Sequence, residues 1–248
     1  MSASTIPASI RSGPATPIGS PVSRWLAAAC LLIVGAGSVA ATALMPATGD
    51  TDVAAVNTYA AHLGRVDAGL AVETLLVLLG PAVAVAALLA QPRSPKLAAV
   101  AGWLGILWGA AWIALIGVDN AVRAAVGTDR AASAKLLAKM TDSTQFKIFV
   151  ALALLGGLVA MVCLGIALWR SRAVPRPVAA AMIAYQPLNI IGGDSDVLGI
   201  IASAVLLAGF VGCALAVLHR GLPGLSPARP ADPRSAMATL ATHQSPAG

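Results

Sequence analysis

This chain carries little charge. Asp, Glu, Lys and Arg together make up 10% of its 248 residues, and Glu73 is its one glutamate. Soluble domains carry about 25% charged residues, so scarcity on this scale excludes an ordinary water-solvated fold. Aromatic residues reach 4%, and no basic patch with aromatic platforms can be drawn, which argues against a nucleic-acid partner. Cys30, Cys163 and Cys213 lie inside apolar runs without CxxC or Cys/His spacing. They read as small buried hydrophobes, not as a disulfide or metal framework. A Ser/His/Asp set, HExxH, a P-loop and GxGxxG are all missing. The sequence therefore predicts no enzyme, no cofactor and no metal centre.

What is present is apolar: 58% of residues are hydrophobic and the mean hydropathy is +0.84. Separate runs of about 20 apolar residues, each long enough to cross a ~30 Å hydrocarbon layer, predict a multi-pass membrane protein. The expected fold is an all-α integral membrane bundle of six transmembrane helices, at 25–45, 68–90, 97–118, 148–169, 177–192 and 197–218. Disordered tails at 1–24 and 219–248, rich in Pro, Ser and Ala, flank the bundle domain 25–218. The run at 177–192 is the shortest, covering about 24 Å at 1.5 Å per residue, and must stand upright or be re-entrant.

The net charge of +6 is distributed along the chain in a way that suggests a threading. Arg11 and Arg24, Arg93 and Lys96, Arg170, Arg172 and Arg176, and the arginines of the C-tail all flank spans on one side, which the positive-inside rule makes cytoplasmic. Both termini are then expected inside. The Ala, Gly, Pro and Arg bias suits a high-GC bacterial genome and hence a bacterial cytoplasmic membrane. Asp50, Asp52, Asp67, Asp194 and Asp196 are left outside. Asp50-x-Asp52 and Asp194-x-Asp196 read as helix caps and turns in preference to a divalent-cation site. Between 46 and 64, Val56 and Tyr59 mark a short amphipathic helix capped by Asp52. Between 119 and 147, Asp119 and Arg123 are spaced for an i, i+4 ion pair. There Lys135 and Lys139 oppose Leu136, Leu137 and Met140, as in a helix lying on the membrane or capping the bundle.

The stretch from His62 to Pro81 holds the main candidate. On one straight helix, His62, Gly69, Glu73 and Gly80 fall within about 20° of one another, with Arg65 about 60° aside. An ionisable residue in a span requires a partner, and Arg65, Arg123 and Lys147 are the cations within reach of Glu73. Tyr185, Gln186 and Asn189 add hydrogen-bonding groups to the fifth run. Pro81 and Pro187 break the middle helix of each three-helix half, a pattern associated with transporter sites. Gly105 and Gly109 form a GxxxG pair suited to close helix packing, within the chain or in a homo-oligomer. The small residues Ala204, Ala208, Gly212 and Ala216 suggest a packing face on the last span. Beyond the lipid bilayer, the sequence identifies neither a protein partner nor a small-molecule ligand. It predicts a non-enzymatic accessory, sensory or structural membrane protein. The alternative is a small-solute or proton-coupled transporter using Glu73 and the Pro-broken second and fifth helices.

Overall fold

The computed structural model describes residues 21–46, 51–126, 129–192 and 196–222. Most of the two tails, with Asp50 and Asp194 and the side chain of Asp196, lies outside the described residues. Within them the chain is helical throughout, without β-strands. The helices are α1 (Pro21–Leu44), α2 (Asp52–Ala61), α3 (Leu63–Ala90), α4 (Pro95–Ala125), α5 (Arg130–Thr141), α6 (Thr144–Ser171), α7 (Arg176–Gly192) and α8 (Asp196–Arg220).

Five of these, α1, α3, α4, α6 and α8, are long and apolar enough to cross a membrane. The six-span expectation is thus met for five. The remaining run forms α7, a single helix of 17 residues containing Pro187, shorter than the other five. Two other boundaries differ from the sequence reading. Helix α1 begins at Pro21, ahead of residue 25, because Pro suits the first turn of a helix, where its missing N–H is not needed. Helix α4 runs on past residue 118 to Ala125 for a length of 31 residues, since neither Asp119 nor Asn120 stops a helix whose next turns are Ala and Val.

Around the bundle, α1 packs on α8, α8 on α7, α7 on α6, α6 on α4, α4 on α3, and α3 back on α1, closing a ring; α3 also touches α6 across it. Trp108, Phe210, Leu31, Met161, Leu164 and Met182 are among the largest side chains buried within it. Trp103 (71% exposed) and Ile191 (76%) point away from it, as side chains facing lipid would. Glycines seat the helices against each other, because without a hydrophobic drive in lipid the gain comes from close van der Waals contact. A Cβ on Gly109 would stand 2.6 Å from the backbone nitrogen of Gly80, and one on Gly157 would stand 2.7 Å from the indole nitrogen of Trp108. Gly105 meets Val83, so the GxxxG pair packs α4 on α3 within the chain. On α8 the expected small-residue face is only partly used: Ala204 and Ala208 are exposed, while Gly209 packs on Met182 and Gly212 on Val178. Large side chains, Leu206 and Phe210 among them, decide which face turns inward.

Two helices depart from α geometry. Residues Thr74–Leu78 of α3 form a 3₁₀ stretch and Leu152–Gly156 of α6 a π-helical one. The first follows from Pro81, which cannot donate to Val77 and whose ring crowds that carbonyl. Thr74 Oγ1 adds a bond back to the Leu70 carbonyl (3.0 Å), a contact that bends helices.

At one end of the ring, α2 and α5 form a cap. Val56, Tyr59, Val66, Leu70, Val122, Val126, Ala134 and Leu137 bury one another in a small second core there. This places α5 over the bundle, with Leu137 inward and Leu136 half exposed. The cap of α2 is Thr51, whose side chain accepts from Ala54 N at 3.1 Å, with Asp52 as the first helical residue.

Candidate functional site

Sequence spacing alone offered Glu73 three cations, and the fold assigns each of them elsewhere. Arg65 donates from Nε to the Leu44 carbonyl (2.7 Å) and from Nη2 to the Ala43 carbonyl (3.0 Å), closing the C-terminal end of α1, where free carbonyls favour a cation. Arg123 forms a two-pronged pair with Asp67, Nη2 to Oδ2 at 2.8 Å. Lys147 pairs with Asp142 at 2.6 Å and holds its exposed carboxyl below the usual range by that hydrogen bond. The expected Asp119–Arg123 pair is therefore not formed. A planar guanidinium gains more from both oxygens of one carboxylate than from a single i, i+4 contact, and the Asp67 pair also ties α3 to α4.

Asp119 is turned under the cap instead. Its Oδ1 accepts from the Tyr59 hydroxyl at 3.0 Å. Burial, followed by the Asp119 charge and hydrogen bond and then the charge of Glu73, holds the Tyr59 phenol well above its ordinary value. Both carboxylates therefore lie near one phenol. Glu73 is partly buried, and its Oε2 is a buried oxygen without a hydrogen-bond partner. A cavity of about 610 Å³ opens beside Asp119, which lines it together with Asp52, Thr51, Thr141 and Trp112 among others. The Trp112 indole N–H is also buried without a partner.

The straight-helix stripe does not survive the 3₁₀ stretch. At about 120° per residue in place of 100°, its five residues over-rotate the lower part of α3 by roughly 100°, so Gly80 no longer lies below Glu73. Gly69 stays on the upper part, against Met45. His62 is exposed and serves as the joint between α2 and α3, its N–H donating to the Thr58 and Tyr59 carbonyls.

Tyr185, Gln186 and Asn189 lie elsewhere, on α7. Tyr185 is buried against Trp108, ring centroids 6.1 Å apart. Ser38 and Thr42 both reach Ser203, at 3.3 and 2.9 Å, linking α1 to α8. Gln186, 1% exposed, donates Nε2 to the carbonyls of Ala153 (3.3 Å) and Leu154 (3.5 Å). Those carbonyls belong to the π-helical stretch, where the usual i→i−4 ladder is broken. Asn189 is half-buried on the same helix, past Pro187. The polar residues thus divide into two groups, one under the cap and one in the bundle core.

Sequence reasoning missed Asp119 and Tyr59 as neighbours of Glu73. The signal was there in part: Tyr59 sits on the apolar face of a short polar helix, and Asp119 directly follows an apolar run. Nothing in the spacing says that α2 folds back over α4. Among the described residues no three His, Cys, Asp or Glu side chains converge as a metal site. No protein-family model matches the chain, and no curated protein or solved structure matches it either.

Proposed function

We propose that this chain is a non-enzymatic, multi-pass membrane protein of sensory or accessory type, in which Glu73 and Asp119 hold a proton under the α2–α5 cap. The observation that carries this reading is the Glu73 Oε2 atom, buried without a partner beside a second carboxylate, while Arg65, Arg123 and Lys147 are engaged elsewhere. Two unneutralised carboxylates in an apolar surround cost several kcal/mol each, and one proton shared in the group removes that cost. Tyr59 supplies a hydrogen bond to Asp119 in either state, and Asp119 also lines the cavity under the cap.

The Ser38, Thr42 and Ser203 hydroxyls bond to each other, which supports a structural use and a protein without catalytic activity. We read α7 as a sixth, short crossing. It leaves the end where α6 finishes and delivers the chain to the end where α8 starts, spanning about 26 Å at 1.5 Å per residue. The end bearing Arg93, Arg172 and Arg220 then faces the cytoplasm by the positive-inside rule, in a bacterial inner or plasma membrane. Cysteines placed at Asp129 and Arg172 test this threading with a membrane-impermeant thiol reagent on intact cells. Labelling is expected at 129 and not at 172, and the reverse pattern overturns the orientation.

A transporter is the second reading, favoured by the 3₁₀ stretch that begins directly after Glu73. Glu73→Gln separates the two. If the pair holds a proton, infrared difference spectra of the wild type show a protonated-carboxyl C=O band that is missing from Glu73→Gln; absence of the band in the wild type sinks the proposal. A pH-driven solute flux in proteoliposomes, lost in the same variant, would favour the transporter.

A further inference from the structure

The opposite end of the bundle carries Arg24, Arg93, Lys96, Arg170, Arg172, Arg176 and Arg220, and among the described residues no acid lies there. Three hydrogen bonds show that these chain ends are neighbours. Arg93 Nη1 donates to the Ser171 carbonyl at 2.8 Å, and Arg220 Nη1 to the carbonyls of Ala173 at 2.8 Å and Arg172 at 3.0 Å. The two arginines thus converge on the turn that ends α6. In that turn Arg172 adopts the left-handed conformation, φ 53°, which costs a non-glycine residue about 1 kcal/mol or more. Between them lies a cleft of about 210 Å³, lined by Leu89, Pro92, Arg93, Ser171, Ala173 and Arg220 together with Gly221.

Each guanidinium has five N–H donors in a planar fork, and here only Nη1 is used on protein carbonyls. Both side chains are exposed. Arg93 caps the Ser171 carbonyl at the end of α6, and Arg220 holds the Arg172 and Ala173 carbonyls of the turn beyond it. These bonds use one nitrogen of each guanidinium and leave the other N–H donors beside an open cleft without a carboxylate. The cleft sits where the apolar spans end. Trp169, 44% exposed with Arg176 over its ring at 5.7 Å, is at the same end, as is Trp25, 66% exposed. Tryptophans of this kind mark the headgroup level of a bilayer.

We propose that this cleft is a binding site for the phosphate of an anionic membrane lipid, held between Arg93 and Arg220. Basic pockets between transmembrane helices are suited to such headgroups, and the arginine fork matches phosphate geometry better than a lysine does. The rest of the basic end concentrates anionic lipid near the cleft without choosing a place for it.

The test uses the full chain in mild detergent, with native mass spectrometry reading the lipid retained from equal mixtures of phosphatidylglycerol and phosphatidylcholine. The wild type is expected to retain the anionic lipid preferentially. Arg93→Gln with Arg220→Gln should reduce that preference on the order of tenfold, while Lys96→Gln with Arg170→Gln, the same charge change outside the cleft, should leave it within about twofold. Equal loss in both pairs means that diffuse charge and not the cleft holds the lipid, and absence of preference in the wild type overturns the site outright. Inorganic phosphate is the probe for the free anion. If millimolar phosphate displaces the lipid completely, the site is one for free phosphate, and the lipid assignment falls. Should the Gln pair fail to fold, Arg93→Lys with Arg220→Lys keeps the charge and removes the fork; full preference in that pair also overturns the proposal.

Discussion

Alanine substituted for glycine at four positions of α4 makes the same chemical change in four surroundings, so the bundle's packing can be read from the differences. At Gly117, exposed and with nothing within 4 Å of a built Cβ, the substitution should stabilise by up to about 1 kcal/mol from helix propensity alone. At Gly102 the nearest atom is the Ala87 Cβ at 3.8 Å, an ordinary contact, and the outcome should resemble Gly117. At Gly109 the new methyl would lie 2.6 Å from Gly80 N and 3.0 Å from Gly80 Cα. Those are backbone atoms of α3 with no side chain to move aside, so the helices must separate. Overpacking of this kind costs about 1–3 kcal/mol, which outweighs the propensity gain. Gly105→Ala meets the Val83 side chain and should also destabilise, but Val83→Ala removes the obstacle and should restore most of the loss. No corresponding rescue exists for Gly109→Ala, because Gly80 has nothing left to trim. Reversible unfolding in mixed micelles, followed by helical circular dichroism, measures all five variants. If Gly109→Ala falls within about 0.5 kcal/mol of Gly117→Ala, the close approach of α3 and α4 is wrong; if Val83→Ala fails to rescue Gly105→Ala, the pairing of those two residues is wrong.

Tyr59→Phe removes the hydrogen bond to Asp119 and should cost about 1.5–3 kcal/mol, the range for a bond to a charged group, detected as earlier proteolysis within the α2–α5 cap. Because the folded-state value of Tyr59 is raised above its ordinary 10.0, the stability it contributes is complete below pH 10 and is lost as the pH rises further. An alkaline titration of the cap should therefore lose this step in Tyr59→Phe, and identical wild-type and variant curves would argue against the contact. Gln186→Leu discards two long hydrogen bonds and also a buried carbonyl oxygen without a partner. With interhelical bonds averaging about 0.6 kcal/mol, stability should change by less than about 1 kcal/mol in the same micelle assay. A loss above about 3 kcal/mol would mean that the amide binds something more than the π-helical carbonyls.

Much of the architecture could be read along the chain, because membrane insertion is decided by properties summed over about 20 consecutive residues. The apolar runs at 25–45, 68–90, 97–118, 148–169 and 197–218 each became a long helix. Gly105 and Gly109 could be assigned to a packing surface from their spacing, whereas of the expected apolar side of α5, Leu136, Leu137 and Met140, only Leu137 is buried and Leu136 is 50% exposed. The ends of elements were less legible. The sequence puts a stop at Asp119, but nothing there opposes another turn and α4 continues to Ala125. The run at 177–192 gives the reverse case: polar groups and Pro187 in its middle leave one unbroken helix, held by Gln186 reaching the carbonyls of α6.

The site was legible only to the level of one residue. An isolated glutamate in an apolar run identifies Glu73 from composition alone, since the cost of burying a carboxylate does not depend on the fold. Its neighbours depend on the fold entirely. Arg65, Arg123 and Lys147 were all within sequence reach, yet each met a better acceptor in space: the carbonyl end of α1, both oxygens of Asp67, and Asp142. Helix spacing constrains angles only while the helix remains regular, so the 3₁₀ stretch after Glu73 and the π stretch in α6 redirected the faces below them. By itself, the sequence determined that this chain forms apolar helices, that one end of the bundle is basic, and that Glu73 is costly, because these are local sums of charge and hydropathy. The ring order of helices, the folding of α2 over α4, the juxtaposition of Asp119 with Glu73 and the convergence of Arg93 and Arg220 on one turn were decided by tertiary structure alone, because each joins residues whose separation in the chain places no limit on how they meet.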